Sequence, residues 1–131
     1  MSDAKYNRIK HLVEVDDDIL AVFMVSLARE RHIENLSIAK NANITNSFVD
    51  NVLAKIQDNL KNINKNLDRD DILGRLKWTI NETDRIRTLM IYEKDRTVIV
   101  LIKSNKSLSE TVDNILGYYY ESENTHKDLF R

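Results

Sequence analysis

The sequence predicts an α+β fold: one mostly antiparallel sheet of five strands with helices on both faces, in the order α-β-β-α-β-β-β-α. Three observations predict it. Two runs, 19–27 and 98–102, are apolar at nearly every position, as strands covered on both faces are. Between them, Phe48, Val49, Val52, Leu53, Ile56, Leu60, Ile63 and Leu67 recur at helical steps over about five turns. After a polar break at 68–71, three strand-like segments precede Ser107-Leu108-Ser109-Glu110, a capping-box signature that opens a last helix. Strands that are apolar on both faces need cover above and below, which places helices on both sides of the sheet.

Each element has its own local reason. Ile9, Leu12 and Val13 stand at i, i+3 and i+4, which predicts a short first helix within 3–15, ended by Asp16-Asp17-Asp18. The first strand covers 19–27, and 29–32 form a turn. A second strand returns over 33–40, with Leu36 and Ile38 on one side and Ser37 and Ala39 on the other. Thr45 is placed to cap the long helix, with Ile44 and Val49 as its hydrophobic staple, while Asp50, Asn51, Lys55, Asp58, Asn59 and Lys61 take the outward side. In 76–81, Leu76, Trp78 and Ile80 alternate with Lys77, Thr79 and Asn81, the pattern of a strand with one dry face. Segments 86–92 and 97–102 follow, the latter apolar on both faces and so expected at the centre of the sheet. Leu108, Val112, Ile115, Leu116 and Tyr119 line one face of the last helix. The absence of a linker or repeat predicts a single domain over 1–131, with a compact part at about 5–120 and a polar tail at 121–131 that frays.

Composition excludes several chemistries. The 131 residues include Gly 2, Pro 0 and Cys 0. A P-loop needs two glycines in one short motif and a dinucleotide fingerprint three, because backbone N–H groups can crowd a phosphate only where Cβ is missing. Gly74 and Gly117 lie far apart, so neither device is present. Without cysteine there is no disulfide, thiolate nucleophile or Cys-bearing metal site. The formal net charge of −1 gives no global attraction to nucleic acid or an anionic membrane. No apolar run approaches the length of a membrane span, and residues 1–6 carry no signal-like apolar stretch, so a cytoplasmic protein is expected.

The order of elements resembles the roadblock family of dynein light chains and bacterial or archaeal GTPase regulators, and more broadly the longin-like and profilin-like folds. The residues that carry the resemblance are the Ile9-Leu12-Val13 helix running into Asp18-Ile19, the 21–27 strand, the long helix at 45–66, and Ile72-Leu73-Gly74-Arg75-Leu76-Lys77-Trp78, a leucine–glycine lead into the third strand as in archaeal members. The Tyr92-Glu93-Lys94-Asp95-Arg96-Thr97 hairpin and the Ser107-capped helix complete it. The first hairpin departs from the family, reading Arg29-Glu30-Arg31-His32 where a glycine is usual. The resemblance implies a non-enzymatic platform without cofactor, homodimeric, whose partners are itself and a small GTPase or other signalling protein. It also implies that the third strand pairs with its symmetry mate beside the long helix. Carried over by position, the dimer or partner contacts are Leu76, Lys77, Trp78, Thr79 and Ile80 on the strand and Val52 and Ile56 on the helix. An edge strand without proline, glycine bulge or dense like charge is itself poorly defended against pairing.

Further candidates come from the residues alone. Tyr118-Tyr119-Tyr120 spreads over about 200° of helix surface, so Tyr119 can face the core while Tyr118 and Tyr120 reach outward as interface residues. Arg85, Arg87, Lys94 and Arg96 form a positive group around the second hairpin, a candidate electrostatic contact. Two alternatives stand beside the platform. A winged-helix DNA binder would place a helix-turn-helix over 33–55, yet its recognition helix offers Asn46, Ser47, Asp50 and Asn51 with only Lys55 for phosphate. A profilin-like or GAF/PAS-like sensor would hold a small ligand between sheet and helix. The acidic groups at 14–18 and 68–71 read as solvated turns and helix-end charges; the loop from Asp68 is no calcium loop, since Leu73 and Thr79 stand where glycine and glutamate are needed, and no metal is expected. His11, His32 and His126 show no ligand spacing, and no serine sits in a nucleophile elbow, so no catalytic residue is assigned.

Overall fold

Aliphatic and β-branched runs become strands here, and the helix-period stripes cover them. A computed structural model describes residues 7, 10, 11, 13, 14, 16–26, 33–40, 42–66, 74, 76–93, 96–104 and 107–128, with side chains at all of these except 57–66 and 121–128. The strands are β1 (Ile19–Ser26), β2 (Ile33–Ile38), β3 (Trp78–Glu82), β4 (Ile86–Tyr92) and β5 (Arg96–Lys103), and the long helices are α1 (Asn46–Asn66) and α2 (Leu108–Asp128). Ahead of β1, Asn7, Lys10, His11, Val13 and Glu14 have helical backbone, where the first helix is expected. Ile9, Leu12 and the turn at 29–32 lie outside the described residues.

The strand order is β2-β1-β5-β4-β3, and every neighbouring pair is antiparallel. β5, apolar on both faces, is central as expected. Its alternate residues divide the core: Val98, Val100 and Ile102 pack with Ile115, Leu116, Tyr119 and Val13, whereas Ile99 and Leu101 pack with Val49, Leu53 and Ile56 of α1. The two helices therefore cover opposite faces. A bulge at Ile19/Ala21 explains why consecutive residues Leu20 and Ala21 both join the α1 side, since an extra residue shifts the alternation by one.

Helix starts follow their caps. Thr45 Oγ1 accepts the Phe48 N–H at 3.0 Å, and Ile44 and Val49 belong to one cluster. Ser107 Oγ accepts the Glu110 N–H at 3.5 Å, and its carbonyl accepts the Thr111 N–H at 3.1 Å. Leu108 departs from the expected apolar stripe and is exposed, because the first turn of α2 seats Thr111 inward in its stead. α2 also runs on to Asp128, so the polar segment from 121 continues the helix. Strand backbone over Ile33–Ile38 is incompatible with a helix-turn-helix across 33–55, and the winged-helix reading fails there.

Candidate interaction edge

The sheet ends in β2 on one side and β3 on the other. β3 meets β4 through five consecutive pairs, Trp78↔Ile91 to Glu82↔Arg87, with no register shift, leaving its other side unpaired among the described residues. Ile80 packs into the α2-side cluster, and alternation puts Trp78 on the same face, above Ile91. The sequence expects Trp78 to be dry. It is instead 38% exposed, with Leu76 before it at 36%, because the outermost strand has a neighbour on one side only. Two large apolar side chains thus stand in solvent beside an unpaired strand edge.

The other face of β3 is tied down. Thr79 Oγ1 shares a hydrogen bond of 2.7 Å with the Tyr92 hydroxyl, and the Tyr92 N–H donates to the Lys77 carbonyl at 2.9 Å. Burial pushes the Tyr92 phenol above its ordinary pKa, partly offset by the Thr79 hydrogen bond. The far end is anchored by Glu82, whose Oε1 accepts from Arg87 Nε at 2.7 Å and from Ser104 Oγ at 3.2 Å.

That anchor corrects the expected positive group. Arg87 is buried between β3 and α2, with Nη1 donating to Thr111 Oγ1 at 3.4 Å, so it holds the fold together. Arg96 pairs with Glu93 at 3.0 Å, and Glu93 Oε2 accepts the Tyr119 hydroxyl. Arg85 is exposed, and Lys94 lies outside the described residues. Both pairs follow hairpin logic: an acid enters the turn and an arginine leaves it, and antiparallel register sets them opposite each other. The signal, Glu82 with Arg87 and Glu93 with Arg96, is present in the sequence once the turns are placed.

The helix candidates divide in the same way. Ile56 is buried against the sheet with Val49 and Leu53 and belongs to the core; Val52 is half-buried. The face of α1 that meets solvent carries Ser47, Asp50, Asn51, Ala54 and Lys55. Tyr119 is buried as expected, and Tyr118 and Tyr120 are half-buried. Tyr120 meets Tyr119 edge to face at 5.1 Å and 87°, so part of its area is spent within the fold.

His11 lies 3.7 Å from Glu14, with both side chains largely in solvent. Asp16 Oδ1 accepts the Asp18 N–H at 2.9 Å, a local turn contact. Among the described residues no group of three or more His, Asp or Glu side chains is placed to hold a metal ion. A cleft of about 690 Å³ lies between the N-terminal helical residues and β2, and its charged lining is of mixed sign: Lys10, Lys40 and Lys103 against Glu14 and Asp17. Among the described residues no helix is long and apolar enough to cross a membrane.

This antiparallel β2-β1-β5-β4-β3 sheet, with α1 on one face and α2 on the other, superposes on solved structures of one kind. The chain has a roadblock fold. It is similar to a Roadblock/LC7 domain from Streptomyces avermitilis, at a TM-score of 0.55 and 9% identity, covering 87% of this chain and 88% of that one. It is similar to the gliding protein MglB from Thermus thermophilus, at a TM-score of 0.63 and 11% identity, covering 88% of this chain and 86% of that one. It is similar, too, to MglB from Myxococcus xanthus, at a TM-score of 0.62 and 12% identity, over 97% of this chain and 95% of that one. No family model and no curated protein matches the sequence. At these identities the likeness is one of fold.

Proposed function

We propose that the chain is a non-enzymatic regulatory platform that pairs with a second copy along β3 and presents the joined surface to a small GTPase or a related signalling protein. The observation that carries the pairing is the regular, unpaired β3 edge flanked by exposed Leu76 and Trp78. Strand addition satisfies backbone groups left open at such an edge, and two apolar side chains repeated by a two-fold axis supply area to bury. The roadblock fold supports the GTPase half of the reading, since regulators of small GTPases are built on it.

Light scattering on the purified protein tests the pairing. The expected mass is two chains, and Trp78→Lys should return it to one chain with native circular dichroism and a melting temperature that no longer rises with protein concentration. A wild type that stays at one chain would remove the pairing. For the partner, immobilised protein should retain a small GTPase from its own source differently in the GDP and GTP-analogue states. Retention blind to nucleotide, or none, removes that half.

A further inference from the structure

The two edges of the sheet are built differently. Along β2 the partners run Val25↔Ile33 and Met24↔Glu34, then Val22↔Ser37 and Ala21↔Ile38, so Phe23 faces two residues, Asn35 and Leu36. This is a bulge, and Asn35 sits in it at φ 53°, the one non-glycine residue with positive φ among the described residues. Asparagine visits that region at little cost, where a β-branched residue does not.

Ile33, Leu36 and Ile38 all pack on the α1 side of the sheet. Leave Asn35 out and these three fall at i, i+2 and i+4, the unbroken alternation of a half-buried strand. Asn35 is exposed and belongs to neither core cluster. It is one extra residue in a strand whose packing does not use it, and what it changes is the line of the edge. β3, by contrast, has no shift through its five pairs.

A sheet with two receptive edges can add copies at both ends and grow without limit, whereas pairing about a two-fold axis closes only if the second edge refuses. We infer that the Asn35 bulge shuts the β2 edge to strand addition, so that a second copy of this chain enters only at β3 and assembly stops at two. The count of two rests on the β3 pairing proposed above. The closure of β2 does not.

Deletion of Asn35, made in the wild type and in Trp78→Lys, separates the two claims by sedimentation equilibrium. In the wild-type background the deletion should convert two-chain particles into larger species that grow with concentration. In Trp78→Lys, which the β3 reading makes a single chain, the deletion should restore association to two through β2. If the wild type proves monomeric, the β3 reading fails, and the deletion should still produce pairs. Unchanged masses in both backgrounds, with native circular dichroism, would overturn the inference. Where the deletion does not fold, backbone amide exchange of the wild type decides. Protection that rises with concentration at 78–82 and not at 33–38 supports closure of β2, and protection rising at 33–38 overturns it.

Discussion

At Gly117 an added methyl group would meet open space on the exposed side of α2, so the glycine costs helix stability without a packing return. Gly117→Ala is expected to raise the unfolding free energy by about 0.8–1 kcal/mol in urea titration. Gly74 is the opposite case. Its surroundings are equally open, but φ is +84°, and Gly74→Ala should lower stability by about 1–2 kcal/mol through backbone strain alone. Tyr92 links a single side chain to pH. Its folded pKa lies above the unfolded value because burial opposes the phenolate, so the folded state holds its proton longer. The stability it contributes is complete below the unfolded value of about 10 and is lost as pH rises through the folded value. Tyr92→Phe should flatten the alkaline fall in stability, measured by denaturation at a series of pH values. An equally steep fall in both proteins would contradict this.

Helix α1 shows which parts of an element the sequence discloses. Its cap at Thr45, its apolar stripe as far as Ile56 and its outward Asp50, Asn51 and Lys55 are legible, because caps and 3.6-residue periodicity are local; the side chains of Asp58, Asn59, Leu60, Lys61 and Ile63, and residue Leu67, lie outside the described residues. Leu53→Ala in that stripe is expected to cost about 2–5 kcal/mol, whereas Lys55→Ala on the solvent side should stay within about 0.5 kcal/mol. Equal effects would mean that α1 does not seat on the sheet as described. Ile56 reads as a contact residue only when family position outweighs its own place in the stripe. Trp78 and Leu76 read as dry because alternation tells which residues share a face and says nothing of whether that face is covered. Arg87 shows a third limit. Charge is visible in a sequence, but the register that sets Arg87 opposite Glu82 and under α2 is a product of the folded hairpin. The bulge at Asn35 leaves a trace, the three-residue step from Ile33 to Leu36, which strict alternation from Leu36 onward conceals.

At the scale of the molecule, the central place of β5 and the helices on both faces follow from two doubly apolar runs and the capped helices. What the sheet does with its two edges does not follow, since an edge exists only once five strands are in place. The roadblock-like platform described above depends on β3 being the edge that is used. The chain contains one tryptophan, and Trp78 is on that edge, so its emission reports the seam directly. The most direct measurement is Trp78 fluorescence over a dilution series, read beside the sedimentation mass. Pairing through β3 predicts a red shift on dilution that coincides with the fall from two chains to one. A mass of two chains with emission that does not change on dissociation would place the interface elsewhere, and a single-chain mass at every concentration would contradict the pairing altogether.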